Sequence, residues 1–413
     1  MSPLPTLPRE TQLQADAAAG DSVEFCLLML CLRWPWSAGT LDAIHAAAEQ
    51  VTDWPRLLRI AARHRVTGLL YRACLRAEVA LPVEVKRELE QTTSAQTRQT
   101  MTFAFESARL QRLFHDAGID LIFLKGVALT LLAYGDLSLR HAKDIDLLIS
   151  LEDAEAASVL LGAAGYEPRF RPEAMSPSQY ALWLRHSKGM EWWNGATGVE
   201  IEVHWRLTDM PSLLPDALAS DQRQRVAIGG GMALTTLDRD HLFAFLCVHG
   251  ASHGWSRLKW LADIYALLPQ DRPEERLRLY HRAVELGAAR PAGQALMLCR
   301  ELLGMPIEAR LLQDFEGDWA LPLLTKAALI TIRRGGSERE IYDQPFGTTF
   351  IYLARFLLGD GWGFLFSEAR QRAYPPDRIA SSHLHRRLIF LFPVLRLWDW
   401  MLDRMRHGGR SER

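Results

Sequence analysis

Cysteine is scarce in this chain, and its five residues, Cys26, Cys31, Cys74, Cys247 and Cys299, are scattered with no C-x-x-C pair among them. That scatter excludes a disulfide framework or a cysteine-based zinc site and predicts buried thiols in a reducing, cytoplasmic setting. An excess of charge of one sign is also lacking. The formal net charge is −1, whereas proteins whose main partner is bulk nucleic acid usually carry a basic signature. No basic stretch followed by an apolar one opens the sequence, so no signal peptide is expected. The apolar run 25–32 is too short to span a bilayer, and the run 388–401 is interrupted by Pro393, Arg396 and Asp399, which predicts a packed helix and no transmembrane segment. Internal repeats and coiled-coil heptads are missing as well.

What is present is 413 residues of ordinary composition, 48% hydrophobic and 23% charged, long enough for two or three cooperating regions. Residues 1–20 read as a loose leader. Residues 21–117 read as helices, with Ser22 placed to cap the first and Leu57, Leu58, Ala61 and Ala62 near the helical period. The texture changes at 119–124, a β-prone run bounded by Gly118 and Gly126. A helix is expected over 127–132, another over 152–164, and paired strands on either side of Asn194-Gly195. Residues 118–236 therefore predict an α+β core. Residues 237–413 read as helical again, with loops at Gly335-Gly336-Ser337 and Pro375-Pro376 and a frayed tail after His407.

The chemistry concentrates in Lys143-Asp144-Ile145-Asp146-Leu147-Leu148-Ile149. Alternate residues of a strand share a face, so Asp144 and Asp146 project together while Ile145 enters the core. Paired carboxylates on a rigid strand suit magnesium, which takes a few carboxylate oxygens and fills its shell with water and phosphates. The bland alternative is a solvated strand end. Upstream, Lys125-Gly126 joins a strand to a helix, where backbone amides and a lysine can meet a phosphate, or where the lysine is simply on the surface. Arg140 is placed to grip a triphosphate or pair with a carboxylate, the alternative being a solvated loop arginine. Downstream, Glu200, Glu202 and His204 alternate on one strand face. Glu202 on a neighbouring strand would supply a third carboxylate for two ions about 3.5–4 Å apart, and Glu200 reads as an exposed edge residue.

His249, His253 and Arg257 recur every four residues, which predicts a shared helical face; with Lys259, Arg257 is a candidate for phosphates or acceptor. Zinc is not expected there, because no H-E-x-x-H glutamate or third ligand is present. Most of the 13 tryptophans should pack the core; Trp192, Trp193 and Trp205 lie nearest the candidate site and are the ones placed to stack a ring.

The ordered set Leu-Lys-Gly, Tyr-Gly-Asp, Arg140 before Asp144-Ile145-Asp146, and Glu202-Val203-His204-Trp205 resembles the uncharacterised bacterial nucleotidyltransferases of the DNA polymerase beta superfamily. The resemblance is close over 119–207 and looser in the helical flanks. It implies a nucleotidyltransferase-like mixed sheet, two magnesium ions, and transfer of a nucleoside monophosphate from a nucleoside triphosphate, ATP included, to an acceptor with release of pyrophosphate. Asp144, Asp146 and Glu202 match the metal-binding and catalytic carboxylates; Lys125 and Gly126 take the place of the Gly-Ser phosphate-binding turn. Val127 departs from the pattern, standing where a serine hydroxyl commonly holds phosphate. The acceptor is a small molecule, peptide, protein or RNA end. A metal-dependent glycosyltransferase and a nucleotide-binding module without turnover are the alternatives.

Overall fold

The computed structural model describes residues 22–170, 175–210, 212–214, 222–269, 271–334 and 353–373. The expected leader, the Gly335 and Pro375 loops, the 388–401 helix and the tail lie outside the described residues. Among the described residues five helices come first: α1 (Val23–Cys31), α2 (Ala38–Ala48), α3 (Trp54–His64), α4 (Thr67–Arg76) and the 34-residue α5 (Val83–Asp116). Ser22 does cap α1, its hydroxyl accepting from the Phe25 amide.

The α+β part follows as β1 (Ile122–Phe123), α6 (Gly126–Tyr134), β2 (Ile145–Leu148), α7 (Ala154–Ala163), β3 (Glu167–Pro168), α8 (Pro177–His186), β4 (Gly189–Asn194), β5 (Val199–His204), β6 (Arg223–Gly229) and β7 (Met232–Leu237). These strands form one seven-stranded mixed sheet in the order β3-β4-β5-β2-β1-β7-β6. β2 runs parallel to β5 and antiparallel to β1, and β1 runs parallel to β7. The hairpin expected at Asn194-Gly195 is present as β4–β5. The β-prone run 119–124 contributes only two strand residues, and the β6–β7 hairpin, turning through Gly229, Gly230 and Gly231 at positive φ, was not foreseen.

Helices resume with α9 (Arg239–Ser252), α10 (Leu258–Leu267), α11 (Pro273–Glu285), α12 (Ala289–Leu303), α13 (Ala309–Gly317), α14 (Ala320–Arg334) and α15 (Gly361–Ala373). Among the described residues no helix is long and apolar enough to cross a membrane. Strand alternation splits the interior into two cores. Ile145, Leu147, Ile201 and Val203 face one, with Phe103, Leu110 and Phe114 of α5 and Leu161 of α7. Leu148 faces the other, which unites Leu28, Leu57 and Leu70 of the first helices with Phe243, Leu261 and Leu296 of the last. The two helical flanks thus share one hydrophobic core, on the face of the sheet to which Asp146, Glu202 and His204 belong by alternation.

Candidate active site

The centre is set by one ladder. In the parallel pairing of β2 with β5, Asp146 stands opposite Glu202 and Leu148 opposite His204, so two carboxylates confront each other on rigid backbone. His204 fills the space between them, with Nε2 3.4 Å from Asp146 Oδ1 and 3.4 Å from Glu202 Oε2. The donor atoms of Asp146, Glu202 and His204 all lie within 4.8 Å of one another. Asp144 stands just ahead of β2, half-buried and outside that group, so the converging donors include His204 in place of the Asp144 expected as a ligand.

Two lysines supply countercharge. Lys125, the residue before α6, places Nζ 2.9 Å from Asp146 Oδ1. Gly126 follows at φ +62°, a left-handed conformation that favours glycine and lets the chain turn from β1 into α6. Lys188, just ahead of β4, places Nζ 3.0 Å from Glu202 Oε1, and its carbonyl accepts from the Trp205 amide at 2.9 Å. Nothing in the local spacing singled out Lys188, because it becomes a neighbour of Glu202 only through β4–β5 pairing.

Burial by itself would raise the pKa of both facing carboxylates. For Asp146 the Lys125 charge and the His204 contact override it, and for Glu202 His204, Lys188 and Lys125 do the same, so both are held well below the usual range. Asp144 goes the other way, raised by burial and by the neighbouring Asp146 charge. The cluster therefore combines two firmly ionised carboxylates with one more basic carboxylate beside them.

Arg140 is 5% exposed, and its Nε donates to both oxygens of the fully buried Asp263 on α10. Of the two readings the sequence allowed, a grip on triphosphate or a pair with an active-site carboxylate, the structure shows a carboxylate pair, with Asp263 of α10 as the partner. Lys259 lies where Asp144 feels its charge. Burial and the nearby Arg140 and Arg65 bring Lys259 down to about 7. Arg257 does not share a helix with His249 and His253: α9 ends at Ser252, His253 caps it, Gly254 and Trp255 take positive φ, and α10 starts at Leu258. The indole of Trp255 folds beneath Gly250, where a Cβ would stand 2.4 Å from the ring. Arg257 consequently stands beside the buried His64 of α3.

Trp192 and Trp205 are buried, the latter edge-on to Trp183, and Trp193 lies against Arg169. The aromatic group near the lysines is instead His249, His253 and Trp260, with ring centroids 4.8–5.4 Å apart. Burial, with Lys125 and Lys188 among the nearby charges, depresses both histidines, His253 to about 4.

A protein-family model described as uncharacterised nucleotidyltransferase matches residues 50–304, more than half of the chain. The match includes the last part of the first helical region, the whole sheet and the helices through α12. No curated protein matches the sequence.

Proposed function

Because the chain belongs to the uncharacterised nucleotidyltransferase family, we propose that it moves a nucleoside monophosphate from a nucleoside triphosphate to a hydroxyl or other acceptor, releasing pyrophosphate, in a magnesium-dependent reaction of the polymerase beta type. The observation that carries this reading is Asp146 facing Glu202 across a parallel ladder, next to the Lys125-Gly126 turn. The donor set fits a divalent cation: oxygens from Asp146 and Glu202 converge with the His204 nitrogen, and Asp144 adds a carboxylate at the edge. When bound, such ions neutralise phosphate charge and make an acceptor oxygen more nucleophilic.

The chain's own groups do the rest. Lys125 and the amides after Gly126 orient phosphate oxygens at the start of α6. Glu202, pinned as an anion, contributes charge, while Asp144 is the more basic carboxylate and the better acceptor for the proton leaving the nucleophile. Arg140 acts from a distance, fixing the loop that leads to Asp144 through Asp263.

Incubation with α-phosphate-labelled nucleoside triphosphates and a cell extract should move label to an acceptor with release of pyrophosphate, and Asp146→Asn should abolish it. Full transfer by Asp146→Asn would sink the metal role. Nucleoside diphosphate release from a sugar nucleotide would mark glycosyl transfer instead, and triphosphate binding without turnover would mark a binding module.

A further inference from the structure

The β4–β5 hairpin is closed by the Asn194-Gly195 turn at one end and carries the site at its open end. There Gly189 pairs with His204, Lys188 stands just before β4, and Glu202 and His204 finish β5. Strand ends far from a turn fray unless something spans them. Two side chains from residues 353–373 do so. On the β4 side Gln371 of α15 donates from Nε2 to the His186 carbonyl, and its Oε1 accepts from His186 Nδ1 at 3.3 Å. On the β5 side Arg355 donates to Asp209 Oδ2 at 2.7 Å, just past the strand.

The span is anchored behind. Arg290 of α12 donates from Nη1 to the carbonyls of Leu357 and Gly359 at 3.0 and 2.8 Å, and Leu358 and Phe364 are buried in the core shared by the helical flanks. Arg355 is itself only 8% exposed, and its Nε lies 3.9 Å from the buried Glu368 of α15. At the hairpin, three consecutive carbonyls are held: that of His186 by Gln371, that of Ser187 by the Trp205 indole at 2.9 Å, and that of Lys188 by the Trp205 amide at 2.9 Å. The backbone that delivers Lys188 to Glu202 is thus pinned residue by residue, and one of the pins comes from α15.

Arg355 bears on the choice of partner. Besides burial and Glu202, Asp209 is among the influences on the Lys188 ammonium. With Asp209 held by Arg355, the ammonium is left to Glu202, with Nζ 3.0 Å from Oε1. We propose that residues 353–373 staple the open end of the β4–β5 hairpin, with Gln371 and Arg355 as positioning residues that fix Lys188 on Glu202. The staple lies beyond residue 304, where the family match ends, so a countercharge of the carboxylate centre is set by a part of the chain outside that match. It requires neither nucleotide nor metal, and it stands or falls independently of the nucleotidyl-transfer reading.

The test is competitive labelling of the full chain with acetic anhydride at pH 8, without metal or nucleotide, the extent at each lysine being read by mass spectrometry. In the parent, Lys188 should react more slowly than the exposed Lys86, because the Glu202 contact holds its proton. Gln371→Ala and Arg355→Met should each raise the Lys188 rate by about 3-fold or more, and Arg355→Lys should stay near the parent. Lys125, paired with Asp146 in the same centre, should keep its parent rate. Glu202→Gln sets the ceiling, and adding Gln371→Ala to it should change the Lys188 rate by less than about 1.5-fold, since the staple acts through that contact. Arg355→Met leaves Asp209 and Glu368 behind as buried acids; where its denaturation midpoint shows that it does not fold, Gln371→Ala, which alters no charge, decides. A parent-like Lys188 rate in folded Gln371→Ala overturns the staple. An equal rise at Lys125 and Lys188 overturns it too, because that marks general loosening of the sheet.

Discussion

Arg140 donates from Nε to both carboxylate oxygens of Asp263, at 2.8 and 3.0 Å, and ties the loop leading to Asp144 to helix α10. Tyr134 donates its hydroxyl to the same acid at 3.0 Å, so the carboxylate is satisfied where no water reaches it. Asp263→Ala leaves Arg140 as an uncompensated buried cation and should lower stability by roughly 3–5 kcal/mol in urea denaturation. The double variant Arg140→Met with Asp263→Leu should recover much of that loss. A single-variant loss below about 1 kcal/mol would show that the pair is not sealed from solvent.

His204 gives the centre a nitrogen donor among oxygens, which manganese accepts more readily than magnesium does. His204→Gln should reduce manganese affinity by about 10–100-fold, read from the free-ion electron paramagnetic resonance signal. An unchanged manganese titration would remove His204 from the ligand set.

Gly189 opens β4 where a Cβ would stand 2.5 Å from the Val203 carbonyl oxygen and 3.0 Å from the His204 Cα. Backbone cannot yield as a flexible side chain would, so Gly189→Ala should cost about 1–3 kcal/mol. It should also impair metal binding, because Lys188 and Glu202 flank the strain. Gly39→Ala, at a helical position with nothing within 4 Å, is the control and should be neutral or stabilising. Equal thermal midpoints for the two variants would contradict the close approach.

Stability should rise with pH where Lys259 titrates. Below about 7 the lysine is protonated in both folded and unfolded chains, and folding bears the full penalty of its crowding. Between about 7 and the ordinary value of 10.5 the unfolded chain binds more protons, so that penalty is relieved as pH increases. Lys259→Met should therefore stabilise most at pH 6 and progressively less towards pH 10, measured by urea denaturation at matched ionic strength. A pH-independent gain would mean that Lys259 keeps its proton throughout.

The parts of the site legible in the sequence are those encoded by short periodicity. Asp144 and Asp146 are two apart before an apolar strand, Glu202 and His204 alternate on another, and Lys125-Gly126 marks a strand-to-helix turn, all local signals. Lys188 carries no such signal, because only the pairing of β4 with β5 brings it to Glu202. Arg257 misled for a related reason. Its four-residue spacing from His253 continues through a break that depends on Trp255 fitting under Gly250, a tertiary requirement invisible to periodicity. The β6–β7 hairpin was hidden because β6 is an edge strand with mostly solvent-facing residues, lacking the apolar run that marks a buried strand.

The Lys125–Asp146 and Lys188–Glu202 contacts act as internal counterions. They let opposed carboxylates be brought together during folding without waiting for a cation from solution, so chelators should empty the centre without unfolding the chain. A divalent ion held by Asp146, Glu202 and His204 would take the places of the ammonium groups at the carboxylates. The same lysines would then turn to the phosphates accompanying the metal, so occupancy by one ligand would favour the other without any larger movement of the fold.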